Sequence, residues 1–239
     1  MNLPYFYIPP QTSETHQIIL SEATSKHIVQ VLRMKLNEKI KLTDGEGNIY
    51  TCIITDDNRK RSIVQVQDHQ FVQRPTPLTC IAISPLKNNT RFEWFIEKAT
   101  EAGISQIIPL HCDRSEKVSL KTDRLQQIII SAMLQSQQCW LPVLHAVTSF
   151  KSALASSEMP QKYIAHCIVG ESKKSLSQIS IASVSGAIVC IGPEGDFTHD
   201  EIALATALGY EAVSLGNTRL RTETAGLYAA VVLNSLTNQ

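Results

Sequence analysis

The sequences IGPEGDF, at residues 191–197, and LGNTRLRTETA, at residues 215–225, decide the fold class of this chain. Each begins at the end of a short apolar run, at residues 187–191 and 212–215, of the kind that forms buried strands in parallel sheets. Each also ends where a helix is predicted. Two such loops in succession indicate an open α/β sheet, and these sheets bind ligands at the carboxyl ends of their strands.

The residues upstream and between the two loops continue this alternation of strands and helices. Strands are also predicted at residues 78–84, 106–110 and 163–169, and helices at residues 90–102, 122–139, 198–208 and 225–236. Thr90 with Glu93, and Thr198 with Glu201, have the spacing of capping boxes at helix starts. The pattern predicts an α/β domain with a mainly parallel sheet.

A domain boundary is predicted at Arg74-Pro75-Thr76-Pro77, because two prolines two residues apart do not fit inside a helix or a central strand. We therefore expect one domain over residues 1–74 and another over residues 75–239.

The sequence pattern of the first domain is typical of a small, mostly β domain. Residues 39–43 and 48–54 flank Asp44-Gly45-Glu46-Gly47, which is a strong hairpin signal. Residues 63–71 are predicted as a further strand, and a helix is expected near residues 23–33. A β-barrel type of domain with one helix is the predicted outcome.

Composition excludes several classes of protein. With 239 residues, 43% of them hydrophobic and 18% charged, the chain is typical of a globular protein. Its longest apolar runs fall far short of the roughly 20 residues that span a bilayer. The N-terminus lacks a basic segment followed by an apolar one, so we expect a cytoplasmic protein without a membrane anchor. The six cysteines form no Cys-x-x-Cys pair, which predicts isolated buried thiols and no metal site.

The charges balance, with 22 basic and 22 acidic residues, so any contact with RNA has to come from local clusters. The candidate clusters are Arg59-Lys60-Arg61, the pair Lys87 and Arg91, and the run Arg114, Lys117, Lys121 and Arg124. Each cluster taken alone is equally consistent with a solvated face.

The two loops are the candidate ligand site. The glycines and proline of residues 191–197 suit close approach of the backbone to a ligand, although an ordinary strand-to-helix turn is also consistent with them. Residues 221–224 carry more polar groups than a helix cap requires. Neither loop has the spacing of a classical dinucleotide-binding or ATP-binding motif, and the chain has no nucleophile elbow.

Several stretches closely resemble the RsmE family, ribosomal RNA methyltransferases of the SPOUT class that methylate N3 of a uridine in small-subunit RNA. They are LKNNTRFEWFIEKATEAGISQIIPL from residue 86, DRS from residue 113, IGPEGDFTHDEI from residue 191 and LGNTRLRTETAGLYA from residue 215. HIVQVLRMKLNEKIKLTDGEGNIYTCII, from residue 27, resembles the PUA-like RNA-binding barrel of that family. The resemblance covers nearly the whole chain.

This resemblance implies a SPOUT-type α/β knot, with a deep trefoil knot and a mainly parallel sheet, behind an N-terminal PUA-like β-barrel. It also implies a homodimer that acts on 16S ribosomal RNA and binds S-adenosylmethionine in the knotted loops. The cofactor contacts implied by the match are His166, Ile191, Gly192, Pro193, Glu194, Gly195, Leu215, Gly216, Leu220, Arg221, Thr222, Thr224 and Ala225.

The same resemblance suggests roles for the charged residues. Arg221 is the first candidate to stabilise a developing uracil anion, because its charge is permanent. Glu223 would orient Arg221 or accept the uracil proton, or it simply caps the last helix. The residues expected to hold RNA phosphates are Arg33, Lys87, Arg91 and Arg114.

Three positions depart from the family pattern. Asp196 stands where a glycine commonly follows GPEG, Asn37 replaces another common glycine, and Gln138 stands where an arginine is common. Asp196 and Gln138 leave open a non-catalytic RNA-binding assembly factor that has lost its cofactor. A SPOUT methyltransferase that acts on another RNA also stays open, because the sequence does not settle the target nucleotide.

Overall fold

The computed structural model describes residues 3–11, 16–116, 119–168, 173–180 and 186–237. Contacts between residues divide the chain into two compact units. The first consists of Met1–Arg74 together with Met133–Leu141, and the second of Pro75–Ala132 together with Pro142–Gln239. No helix in the described ranges is both long enough and apolar enough to cross a membrane.

The first unit is built on a five-stranded sheet of order β1-β3-β4-β5-β2. Its strands are β1 Tyr5–Tyr7, β2 Gln17–Ile19, β3 Lys39–Thr43, β4 Asn48–Asp56 and β5 Ile63–Phe71. The predicted hairpin is confirmed, since β3 and β4 pair antiparallel across it. Asp44 fixes the turn by accepting a 2.9 Å hydrogen bond at Oδ1 from the Glu46 amide, and Gly45 and Gly47 supply the positive φ angles of 74° and 94°.

The predicted helix of this unit is shorter and less regular than expected. Helix α1, Glu22–Lys26, continues as a π-helical turn at His27–Val31 and then stops. Asn37 follows at a φ of 70°, in the left-handed region that glycine and asparagine tolerate best. Asparagine at position 37 therefore suits the backbone of this turn.

Met133–Leu141 packs within the first unit, although it was predicted to belong to the second domain. The Gly47 amide donates to the Cys139 carbonyl at 2.9 Å, and Trp140 Nε1 donates to the Val72 carbonyl at 3.0 Å. A Cβ on Gly47 would lie 2.5 Å from the Trp140 ring, so this turn has to be glycine. The contacts join residues far apart in the chain, which is why local patterns do not predict them.

The second unit contains the parallel sheet. Its strands are β6 Thr79–Ile83, β7 Gln106–His111, β8 Val143–Leu144, β9 Thr148–Ser149, β10 Gln161–Ala165, β11 Lys174–Ser175, β12 Ala187–Ile191 and β13 Glu211–Ser214. The order is β11-β13-β10-β12-β6-β7-β8, with β9 beside β7, and every pairing in it is parallel. The prediction of a mainly parallel sheet is confirmed. Val169, the predicted last residue of the strand that forms β10, lies outside the described residues.

Both faces of this sheet are covered. The helices are α2 Asn89–Glu101, α3 Thr122–Gln135, α4 Phe150–Ser156, α5 His199–Ala207 and α6 Thr222–Thr237. Cys80 and Ala82 pack in one core with Leu154 of α4 and Ile202 of α5. Side chains alternate between the faces of a strand, so Ile83 faces the side of the sheet that α2 and α6 cover.

One of the two predicted capping boxes is confirmed and the other is wrong. Thr198 and Glu201 cap α5 reciprocally. Helix α2 is instead capped by Asn88, whose Oδ1 accepts from the Thr90 amide at 3.0 Å. Asparagine is as good an N-cap as threonine, and Asn88 comes first in the chain. Glu93 is left to pair with Arg124, at 2.8 Å from Nη2.

The expectation of buried cysteines holds at five positions and is wrong at Cys167, which is exposed. Burial raises the pKa of the Cys52, Cys80 and Cys112 thiols to about 12. Since the thiolate is the reactive form, these groups stay inert near neutral pH.

We expect a disulfide exchange reagent at pH 8 to label one thiol rapidly in the folded protein, and Cys167→Ser to abolish that rapid phase. A rapid phase that persists in the variant would contradict this.

Candidate active site

Three strands bring their carboxyl ends to one edge of the parallel sheet. Ala165, the last residue of β10, pairs with Ile191 of β12 on one side and with Val213 of β13 on the other. The chain segments that follow these strands therefore begin side by side. Together with Ile191, the last residue of β12, they contain all the predicted cofactor contacts, from His166 through the two glycine-containing loops to the start of α6.

The loop after β12 is held in a tight shape by its own residues. The Asp196 amide donates to the Pro193 carbonyl at 2.9 Å, and Asp196 has a φ of 64°. A Cβ on Gly192 would lie 3.1 Å from the Phe197 ring, so a larger residue would press against a buried aromatic side chain. Glu194 and Gly195, in the middle of the loop, are exposed.

Arg114 braces this loop from the segment that follows β7. Its Nη1 donates to the Gly195 carbonyl at 2.7 Å, and its Cδ would lie 3.3 Å from a Cβ on Gly195. The arginine side chain thus occupies the space beside Gly195. Arg114 was expected to bind an RNA phosphate, and in this structure its guanidinium group holds the backbone of the loop.

The second loop is joined to the first at the start of α6. Thr222, only 5% exposed, donates from Oγ1 to the Gly192 carbonyl at 3.1 Å. The Ala225 amide donates to the Arg221 carbonyl at 2.7 Å, so α6 begins at Thr222, three residues before the predicted start. Gly216 has a φ of 125° and no neighbouring side chain within 4 Å of the position of a Cβ, and its amide and carbonyl are hydrogen bonded to the Ser214 hydroxyl at 3.2 Å each.

The predicted contacts differ in their exposure to solvent. The buried members are His166, Ile191, Gly192, Pro193, Thr222 and Ala225. Leu215 and Leu220 are half-buried, while Glu194, Gly195, Gly216, Arg221 and Thr224 are exposed. Buried apolar residues next to exposed loop residues suit a ligand that has both apolar and hydrogen-bonding parts.

Glu223 pairs with Arg91, not with the neighbouring Arg221. Its carboxylate lies 3.8 Å from Arg91 Nε, and the side chains are 10% and 46% exposed respectively. The pair joins the first turn of α6 to the first turn of α2. Glu223 is also in the first turn of its helix, where a negative charge is favoured.

The other basic residues predicted to bind RNA phosphates are both exposed, but they lie in different units of the chain. Lys87 has a side chain that is 77% exposed and lies 3.3 Å from Glu116. Arg33 is exposed in the first unit at a φ of 56°. Lys117 lies outside the described residues. The described part of the chain contains no group of three or more His, Cys, Asp or Glu side chains placed to hold a metal ion.

Comparison with known proteins matches both parts of the chain to RNA-modifying enzymes. Residues 73–234 match the family model of an RNA methyltransferase domain, and residues 20–67 match that of an RNA methyltransferase PUA domain. A relative from Synechocystis sp., named ribosomal RNA small subunit methyltransferase E, is 27% identical over 233 residues, which are 96% of this chain and 76% of the relative.

Solved structures agree with these matches. A probable rRNA methyltransferase from Porphyromonas gingivalis has a TM-score of 0.90 and 33% identity, with 99% of each chain covered. A ribosomal RNA small subunit methyltransferase E from Neisseria gonorrhoeae, bound to S-adenosylmethionine, has a TM-score of 0.81 and 31% identity, with 98% of each chain covered.

The fold, the two glycine-containing loops and the family model together define an RNA methyltransferase of the SPOUT class, an α/β fold with a deep trefoil knot, joined to a PUA-like domain. Within that class the chain belongs to the RsmE family of ribosomal RNA small-subunit methyltransferases.

Two contributors to the site were missed from the sequence. Asp196 was noted only as a departure from the family, and the amide of Cys167, which Asp196 binds at 2.7 Å, was not considered. A signal for Asp196 was available, because aspartate is among the few residues that adopt the left-handed backbone of a glycine position. No local pattern marks the amide of Cys167.

Proposed function

We propose that this protein transfers the methyl group of S-adenosylmethionine to N3 of a uridine in the 16S ribosomal RNA of the small ribosomal subunit. The observation that carries the proposal is the meeting of His166, the Gly192–Gly195 loop and the Leu215–Ala225 loop at one sheet edge, with the Thr222 hydroxyl bonded to the Gly192 carbonyl. The relative from Neisseria gonorrhoeae, whose structure contains S-adenosylmethionine, supports the choice of cofactor.

The protein contributes mainly by positioning. S-adenosylmethionine, when bound, supplies a methyl group activated by a positively charged sulfur. The apolar side chains of Ile191, Leu215, Leu220 and Ala225 would contact the cofactor, and backbone groups of the two loops would bind its polar groups. Fixing both reactants in line removes much of the entropic barrier of a bimolecular methyl transfer.

Arg221 is proposed to stabilise the reacting uracil. N3 of uracil is protonated at neutral pH, so its lone pair becomes available only as the proton passes to a base, for which Glu223 or solvent water would serve, and negative charge spreads to the ring oxygens. Arg221 is exposed, directly before the first turn of α6, where a permanent cation can meet that charge. Glu223 would hold the Arg91 guanidinium beside the same turn.

RNA binding is proposed to involve both domains, residues 1–74 as the PUA-like RNA-binding domain and residues 75–239 as the methyltransferase domain. Arg33 and Lys87, both exposed, would contact phosphates, together with Arg91 and Arg114. The target uridine has to leave its stack to reach the methyl group.

A homodimer and a cytoplasmic location are also part of the proposal. Trp94 on α2 is 42% exposed and Val231 on α6 is 50% exposed, and the two helices are neighbours. Exposed apolar side chains on adjacent helices support a contact with a second copy of the chain.

The proposal is tested by methyl transfer to its natural substrate. Purified protein and labelled S-adenosylmethionine are incubated with small ribosomal subunits from cells that lack this modification, and the digested nucleosides are analysed by mass spectrometry. We expect 3-methyluridine to appear. Methylation of another nucleoside, or of transfer RNA instead, would favour a different target, and binding of RNA without methylation would favour an assembly factor.

A further inference from the structure

The loop after β12 is joined to the segment after β10 by one side chain. Both carboxylate oxygens of Asp196 accept backbone hydrogen bonds, Oδ1 from the Phe197 amide at 2.8 Å and Oδ2 from the Cys167 amide at 2.7 Å. Hydrogen bonds to an ionised carboxylate are about twice as strong as neutral ones. The bond to Cys167 therefore connects the two segments firmly at a point beyond the end of the β ladder.

This bond closes a ring of interactions around the predicted cofactor contacts. The pairing of β10 with β12 ends at Ala165 and Ile191. Beyond it, the hydrogen bond from the Cys167 amide to Asp196 connects the two segments that follow these strands. His166 and the stretch Gly192–Gly195 lie between the two connections. Their backbones are thus fixed at both ends, which a glycine at position 196 could not achieve because it has no side chain.

A second side chain of opposite charge holds the same segment. Lys173 Nζ donates to the carbonyls of His166 and Ile168, at 2.7 Å each. The carbonyls of residues 166 and 168 and the amide of Cys167 between them are therefore all bonded by charged side chains. Such preorganisation lowers the entropic cost of binding a ligand against this backbone.

We infer that Asp196 is a positioning residue for the cofactor: its carboxylate, bonded to the Cys167 amide, holds the Gly192–Gly195 loop and His166 in the arrangement that binds S-adenosylmethionine. The inference rests on the proposed function, because it assumes that these loops bind that cofactor. It also explains why an aspartate can stand where the family pattern has a glycine. The position keeps the backbone of a glycine, at a φ of 64°, and gains a connection between two loops.

The test compares Asp196→Gly with Asp196→Asn. Glycine adopts the left-handed backbone without strain, so the variant should fold, but it loses both hydrogen bonds. We expect its Kd for S-adenosylmethionine, measured by calorimetry, to rise about tenfold, the size expected for lost bonds to a charged group. Asparagine tolerates the same φ and retains one acceptor oxygen, so an intermediate rise is expected. Asp200→Asn, an exposed carboxylate on α5, is the matched control and should leave the Kd unchanged.

Two further measurements separate positioning from a general structural role. At saturating cofactor, kcat should stay within about twofold of the unchanged protein while the KM for S-adenosylmethionine rises, because the lost contacts act on binding. Hydrogen exchange at the Cys167 amide should become faster in Asp196→Gly. Equal cofactor affinity in Asp196→Gly and the unchanged protein would overturn the role of Asp196 alone. Failure of the unchanged protein to bind the cofactor would overturn the proposed function and this role with it.

Discussion

Replacing Arg221 with alanine is expected to lower kcat about 10²–10³-fold, the loss typical when one preorganised group that stabilises a developing anion is removed. The side chain is exposed, and only the carbonyl of the residue takes part in the start of α6, where it accepts from the Ala225 amide. An alanine keeps that carbonyl. The free energy of unfolding and the Kd for S-adenosylmethionine should therefore change little.

Two variants in the same loop sharpen the test. Arg219→Ala removes a neighbouring positive charge whose Nη2 lies 3.5 Å from the Glu194 carbonyl, at the limit of a hydrogen bond, and it should retain most of the activity. Arg221→Lys keeps the charge but loses the planar fork, so an intermediate kcat is expected. Single-turnover methyl transfer to small ribosomal subunits measures the effect. Retained turnover in Arg221→Ala would remove this residue from the mechanism.

Two departures from the family pattern are explained by backbone angles that the sequence alone did not reveal. Asn37 and Asp196 replace glycines common in the family, and both have positive φ angles, of 70° and 64°. Asparagine and aspartate are the residues best able to replace glycine there. The strand ends and the two loops, in contrast, were predictable from the sequence, since short apolar runs followed by glycine leave few alternatives.

Other features depended on contacts that no local pattern contains. The choice between Asn88 and Thr90 as the cap of α2 is decided by which side chain reaches the first free amides. The start of α6 at Thr222 was not predicted because the polar residues of its first turn are equally typical of a loop. Met133–Leu141 joins the first unit through partners nearly a hundred residues away, such as Thr43 with Cys139, and a knot likewise leaves no trace in residue spacing.

Substitution of Gly226 by valine is expected to lower the free energy of unfolding by about 1–3 kcal/mol, the usual cost of forcing extra atoms into a packed core. Glycine within a helix costs about 1 kcal/mol relative to alanine, so its presence inside α6 needs a reason. The reason is close packing. A Cβ there would lie 2.7 Å from Ile83 Cδ1 and 2.7 Å from the Phe95 ring, and both side chains are fully buried.

The site should respond to the same substitution, because α6 carries Thr222 and Glu223 in its first turn. Displacing the helix from β6 and α2 would lengthen the 3.1 Å bond from Thr222 Oγ1 to the Gly192 carbonyl and separate Glu223 from Arg91. Chemical denaturation measures the stability and calorimetry the cofactor affinity. Ser235→Val adds the same branched side chain at an exposed position of α6 and should change the stability by less than about 0.5 kcal/mol. Equal stability of the two variants would contradict the view that Gly226 sets the distance between α6 and the sheet. It would also contradict the view that this distance places the first turn of α6 at the active site.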